Sequence, residues 1–168
     1  FLEMSSDFVY AEGLSEKQKF DIAHLRGRIE RERKGEKLKS GQGGLIDVEF
    51  LVQAIQLEHG REHPEIRSPN TSGALKAIAD CEAIELPDAP QLLEHYFLLR
   101  DIENRLQIMD GISIDELPKD PEELDELVRR LYHLSEEETP DSEEFVEHYQ
   151  RVRKEIRSIY LSYFPGEA

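Results

Sequence analysis

The run Lys37-Leu38-Lys39-Ser40-Gly41-Gln42-Gly43-Gly44-Leu45-Ile46-Asp47-Val48-Glu49-Phe50 holds the residue types best suited to chemistry. Glycines at a helix N-terminus let backbone N–H groups approach a phosphate, and Lys37 and Lys39 would add charge. No Gly-Lys-Ser/Thr follows at the spacing of a Walker A loop. Two readings stand: contact with an anion, or glycines that only allow a tight start to the helix. Asp47 and Glu49 carry a second signal. They sit in an otherwise almost wholly apolar segment, and a buried carboxylate must be paired, hydrogen-bonded or metal-bound. Two residues apart on a helix, they point to opposite sides and cannot share one metal. Asp47 falls in the first turn, where the helix dipole favours a carboxylate. One of the two can face a neighbouring domain while the other pairs inside. Arg100 and Arg105 are the candidate internal partners, and at least one of them is expected to pair with Asp47, Glu49 or Glu103.

Other constellations are weaker. His59 and His63 are four apart, but Gly60 and Pro64 flank them, so one helix does not hold both and no zinc site is expected there. Cys81 has no argued base beside it and reads as a small apolar residue. No Gly-x-Ser-x-Gly elbow exists. Tyr96, Tyr149, Tyr160 and Tyr163 read as core.

Six helices must position these groups. Ser15 with Gln18 forms a capping box for a helix over about 16–33, with Phe20, Ile22, Ala23, Leu25 and Ile29 as candidates for burial. Gly35 is the expected stop, and 34–44 reads as a flexible basic loop. The second helix runs from about Leu45 to His59. Its apolar residues spread nearly all round, which marks a buried helix, with Glu49, Gln53 and Gln56 on one polar stripe. Thr71 is the expected cap of a third helix to about Ile84. Asp88 and Gln91 cap a fourth over about 89–109, burying Leu92, Tyr96, Leu99, Ile102, Leu106 and Met109. Asp120, Pro121 and Glu123 start a fifth to about His133. Asp141 and Glu144 start a sixth, where Phe145, Tyr149, Val152, Ile156, Ile159 and Tyr163 recur at spacings of four and three. No useful segment alternates with period two. The expected architecture is an all-α bundle of about six helices over residues 15–164, with 1–14 as an extension or linker and 165–168 as a tail.

Composition sets the outer limits. The 168 residues are 38 % hydrophobic and 35 % charged, with net charge −16. A chain this acidic is a poor general partner for nucleic acid or anionic membrane. No apolar run approaches the ~18 residues of a membrane-spanning helix. A single cysteine excludes a disulfide framework and makes a reducing, cytoplasmic setting the expectation. Charge is uneven: residues 16–39 are net +4, so any anion-binding region should lie near them. The chain opens on Phe1 with no helix start signal, so it reads as beginning mid-protein.

Gly43-Gly44-Leu45-Ile46-Asp47-Val48-Glu49-Phe50-Leu51-Val52-Gln53 resembles the signature of the glutamine synthetase adenylyltransferase family. The likeness continues through His63-Pro64-Glu65-Ile66-Arg67, Leu99-Arg100-Asp101-Ile102-Glu103-Asn104-Arg105-Leu106-Gln107 and Leu117-Pro118. Leu25-Arg26-Gly27-Arg28-Ile29-Glu30 looks like the basic helix leading out of the family's catalytic domain. Together these cover about residues 20–164. The Gly-Gly-Leu-x-Asp part is shared with the related uridylyltransferases of PII signalling proteins.

The resemblance implies an enzyme that attaches AMP from ATP to a tyrosine of glutamine synthetase and also removes it. Each half of such a chain has a nucleotidyltransferase core followed by a helical domain. The core's Gly-Ser and Asp-x-Asp motifs, which hold ATP and Mg²⁺, are absent here, so the chain looks like the helical domain alone, without catalytic or metal residues. Ile46 and the ending Tyr160-Leu161-Ser162-Tyr163-Phe164 favour the C-terminal, adenylylating half. The implied partners are an upstream core, glutamine synthetase and PII signalling protein. Lys37, Lys39, Gly43, Gly44, Asp47 and Glu49 are expected on the surface facing the core and its nucleotide. The competing reading is a non-catalytic acidic helical module that binds protein.

Overall fold

The structure, a computed structural model, describes residues 9–33, 37–110, 115–132 and 139–164. Six α-helices are present among them: α1 Glu16–Glu32, α2 Leu45–His59, α3 Thr71–Asp80, α4 Ala89–Asp110, α5 Pro121–Tyr132 and α6 Ser142–Tyr163. A 3₁₀ turn, Pro64–Ile66, lies between α2 and α3. No strand occurs among the described residues. The expected stop at Gly35 and the tail 165–168 lie outside the described residues, as do residues 1–8 of the expected extension.

Local sequence explains most boundaries. Both expected capping boxes form, Ser15 with Gln18 and Asp141 with Glu144. The Asp120 carboxylate accepts from the N–H groups of Glu122 and Glu123, with Pro121 at the first helical position. The third helix differs. Asn70, not Thr71, is its cap, and it ends at Asp80 rather than near Ile84. An Asn side chain reaches the N–H groups of Ser72 and Gly73 and satisfies two otherwise orphaned donors.

Helix α2 is the hub, packed by α1, α3, α4 and α6, while α5 bridges α4 and α6. Its Leu45, Val48, Leu51, Val52 and Ile55 are buried, as its all-round apolar character predicts. The polar stripe on α2 is not uniform. Gln53 is exposed, but Gln56 is buried and donates to the carbonyls of Ile66 (2.7 Å) and Ser68 (2.8 Å).

Helix α1 corrects the expected burial pattern. Phe20 is 68 % exposed and Leu25 40 %, while Ala23, Arg26 and Gly27 are the buried residues. The face turned to α2 runs Lys19–Ala23–Arg26–Glu30, at spacings of four, three and four. Lys19 meets Glu58 near the end of α2 at 2.6 Å, and Arg26 meets Asp47 near its start at 2.5 Å. The two helices are therefore antiparallel and dock through charge, with Phe20 and Leu25 off that face.

Glu58 also accepts from the Tyr163 hydroxyl of α6. Burial pushes the Glu58 carboxyl up, but Lys19 and Tyr163 outweigh it and hold the group below its ordinary value of 4.5. A carboxylate depressed in the folded state stabilises above its unfolded pKa and loses that contribution as pH falls through the folded one. Glu58→Gln should therefore lower stability by on the order of 1 kcal/mol at neutral pH, with the deficit shrinking as pH falls through the lowered folded-state pKa of Glu58. Urea denaturation of both proteins across pH checks this; a pH-independent deficit would contradict the charge assignment.

Candidate functional site

Residues 37–44, leading into α2, form a packed element rather than part of the flexible loop expected over 34–44. Leu38 and Ser40 are fully buried, and Gly41, Gly43 and Gly44 are buried. The Leu38 N–H donates to the Asp115 carbonyl (2.6 Å) and the Lys39 N–H to the Asp115 carboxylate (2.8 Å). Gly43 has φ +65°, and a Cβ there would run into the carbonyl oxygen of Arg153 on α6. A Cβ on Gly44 would lie 2.5 Å from the Leu38 carbonyl oxygen. These glycines are set by close backbone approach. Their N–H groups have partners inside the chain: Gly43 donates to Asp47 Oδ2 at 2.8 Å and Gly44 to the Gly41 carbonyl at 3.0 Å. Of the two readings of the glycine pair, the tight helix start is the one realised.

Asp47 has no exposed surface and sits where three elements meet. It accepts Arg26 Nε on Oδ1 (2.5 Å), the Gly43 N–H on Oδ2, and Arg157 Nη1 on Oδ2 (3.3 Å). Arg26 is equally buried and reaches the Gly41 carbonyl through Nη2 at 2.9 Å. Glu30 extends the network, 3.5 Å from both Arg26 and Arg157. Arg153 holds the segment from the other side, donating to the carbonyls of Gln42 (2.9 Å) and Lys37 (3.2 Å) and to the Tyr149 hydroxyl (3.2 Å). Of Arg100 and Arg105, Arg100 pairs with Glu103, one of the three expected carboxylates, but neither pairs with Asp47. Its partners come from α1 and α6, elements whose docking no local spacing reveals.

Lys37, Lys39 and Glu49 occupy a different flank. Lys37 pairs with Glu116 (2.8 Å), and Lys39 pairs with Glu103 (2.5 Å), which Arg100 also contacts (2.6 Å). Glu49 is half-buried, and burial pushes its carboxyl up against the opposing pull of Arg100 and Lys39. The six expected site residues thus do not form one surface. Lys37, Lys39 and Glu49 remain accessible to a neighbour, while Gly43, Gly44 and Asp47 are internal supports.

An open groove of about 730 Å³ runs along α6 beside Gly41 and Gln42, lined also by Glu30, Arg153, Lys154 and Arg157. Counting Arg26 and Asp47 beneath it, four cations face two carboxylates, a local excess of two positive charges. In a chain of net charge −16 this is an inversion of sign. Sequence reasoning missed Arg153, Lys154 and Arg157. The available signal was the pair Arg153 and Arg157, four apart beside the buried Val152 and Ile156.

Removing Asp47 takes the nearer of two counter-charges from the buried Arg26, leaving only Glu30 at 3.5 Å, so Asp47→Ala should cost about 3 kcal/mol. Lys119→Ala, at a 90 % exposed side chain, should change stability by less than ~0.5 kcal/mol. Urea unfolding of both checks the contrast, and near-equal midpoints would contradict the buried ion network.

Comparison with known proteins agrees with this architecture. A family model described as GlnD PII-uridylyltransferase matches residues 18–164. A bifunctional glutamine synthetase adenylyltransferase/adenylyl-removing enzyme of Streptomyces coelicolor is 33 % identical over 171 residues, covering 98 % of this chain and 17 % of that protein. Its counterpart in Streptomyces avermitilis is 40 % identical over 126 residues, 75 % of this chain and 12 % of that protein. The one from Rhizobium meliloti is 31 % identical over 176 residues, 100 % of this chain and 17 % of that protein. The chain thus spans less than a fifth of the relatives it matches. With a helical bundle over the matched residues, this chain belongs to the family of PII-uridylyltransferases and glutamine synthetase adenylyltransferases, as its helical domain.

Proposed function

We propose that this chain is the helical part of a nucleotidyltransferase that transfers AMP from ATP to a tyrosine of glutamine synthetase and, in the whole enzyme, removes it. The relatives' names support the substrate, and the cationic groove beside the packed segment supports a role next to phosphates. The groove is the observation that carries the reading. Arg153 and Arg157 also hold the fold together, but with the exposed Lys154 beside them they leave this open face cationic in a chain of net charge −16.

ATP and Mg²⁺ belong to the core on this proposal. Mg²⁺ requires a set of oxygen ligands. Among the described residues the one cluster of three metal-ligating side chains is His63, Glu65 and Cys81, a nitrogen–oxygen–sulfur set that does not suit it. The nucleotide's phosphates find no free glycine N–H in the segment 37–44, and Lys37 and Lys39 are paired with carboxylates. This chain therefore contributes from outside the reaction centre. Arg153, Lys154 and Arg157 stabilise phosphate charge through space, and Lys37, Lys39 and Glu49 meet the core surface. Gly43, Gly44 and Asp47 hold both flanks in place. Fixed cations aimed at developing negative charge are a strong source of transition-state stabilisation where water is excluded. By itself the chain is inactive in this scheme, and the working enzyme is cytoplasmic, with PII signalling protein as a regulator.

In the full-length enzyme, Lys154→Glu should slow AMP transfer roughly five- to tenfold, the weight of about 1–1.4 kcal/mol. Its exposed side chain predicts an unchanged melting temperature. Lys119→Ala should leave both rate and melting unaffected. Unchanged transfer in Lys154→Glu would remove the groove from the reaction and favour the protein-binding module.

A further inference from the structure

Cys81 packs against the edge of the core, but its thiol also meets two polar side chains. Its Sγ lies 3.5 Å from His63 Nδ1 and 3.9 Å from Glu65 Oε1, and those two atoms are 3.1 Å apart. We propose that His63, Glu65 and Cys81 form a binding site for a zinc-type transition-metal ion, with one coordination position open to solvent.

The edges of this triangle match the chemistry of such an ion. With Zn–S of about 2.3 Å, Zn–N of about 2.0–2.1 Å and Zn–O of about 2.0–2.2 Å, tetrahedral angles place ligand atoms roughly 3.4–3.6 Å apart. All three observed separations come within about 0.3 Å of that range. The donor set selects the ion class. A thiolate and an imidazole suit zinc and its neighbours, whereas Mg²⁺ and Ca²⁺ prefer oxygen alone. Binding converts the Cys81 thiol to a thiolate and releases its proton to solvent, with no change of oxidation state.

The scaffold holds the three donors in position without the ion. His63 precedes the 3₁₀ turn and its N–H donates to the His59 carbonyl at 2.9 Å. The turn is anchored by fully buried Ile66, whose carbonyl accepts from buried Gln56. Arg67 clamps the next residue by donating to the Gly60 carbonyl at 2.5 Å. Cys81 terminates α3, its N–H bonded to the carbonyl of buried Ile78 at 3.1 Å. The ligands thus come from two elements separately pinned to the core, and an ion would staple them together. The His63 side chain is 23 % exposed and that of Glu65 55 %, which leaves a way in for the ion and room for a water as fourth ligand. The site does not depend on the proposed AMP transfer, and its test does not read activity.

The test is titration of the metal-free 168-residue chain with Co²⁺, followed by displacement with Zn²⁺. Cys81 is the single cysteine, so any thiolate-to-cobalt charge-transfer band reports this site. The expected result is one Co²⁺ per chain, with that band and the intense visible bands of a tetrahedral ion, all abolished by Zn²⁺. His63→Ala and Glu65→Gln should each weaken binding by more than about tenfold, the loss seen even for outer-shell partners. Cys81→Ser should lose the charge-transfer band while its circular dichroism stays helical. A folded wild-type chain without the band at saturating Co²⁺ overturns the proposal. So does a band of unchanged affinity in both His63→Ala and Glu65→Gln.

Discussion

A carboxylate with no access to water must find its partners in the protein or not be charged, and Asp47 meets that requirement from three directions. Arg26 brings α1, Arg157 brings α6, and the Gly43 N–H brings the segment that leads into α2. Desolvating such ions costs several kcal/mol each, and the attraction between them compensates only in close geometry with most positions hydrogen-bonded; here Arg26 Nη1 and Glu30 Oε2 rely on a 3.5 Å ion pair without a hydrogen bond. The consequence is geometric. If α1 slid by one turn, or α6 rotated, Asp47 would lose a cation that no other element supplies. The apolar core of α2 tolerates small shifts; a buried ion network with fixed donors does not.

The glycines follow from the same constraint. For the Gly43 N–H to reach Asp47, the backbone takes a positive φ and comes against the Arg153 carbonyl. Arg153 in turn ties down the carbonyls of Gln42 and Lys37. A glycine-rich turn at a helix N-terminus can offer its N–H groups to an anionic ligand or to its own carboxylate, but not to both. Here the carboxylate is Asp47, four residues on. That internal anion takes the place a phosphate would occupy in a nucleotide-binding loop. The motif therefore has the local chemistry of anion recognition, directed inward.

How far the sequence alone could go is clear from particular residues. Capping boxes at Ser15 and Asp141 and the Asp120-Pro121 start were legible because a cap is decided within four residues of chain. The burial of α2 was legible because its apolar residues leave no solvent side. Helix α1 was misread at Phe20 and Leu25 because hydrophobicity stood in for burial, whereas its docked face is Lys19, Ala23, Arg26 and Glu30. Asp47 was singled out for the right reason, an acid in an apolar helix, yet its partners stood 21 and 110 residues away. Cys81 was read as isolated because His63 is 18 residues distant, and only the packing of the 3₁₀ turn on α3 brings them together. Position in a local pattern is readable from spacing; pairing between elements is not.

Net charge behaves in the same way. At −16 the chain as a whole repels anions, and that sum is a fair guide at long range. Within about a Debye length, roughly 8–10 Å at physiological salt, only the local arrangement counts. Lys37 and Lys39 belong to the basic segment, yet their partners Glu116 and Glu103 lower their local effect. Arg153, by contrast, has its guanidinium on two carbonyls and a hydroxyl, dipoles that orient it and leave its charge in place. Cationic charge therefore also gathers beside the groove, at Arg153, Lys154 and Arg157, outside the stretch where lysines are densest. An acidic protein can present a cationic surface in this way by pairing its acids with some cations and satisfying others with neutral oxygens.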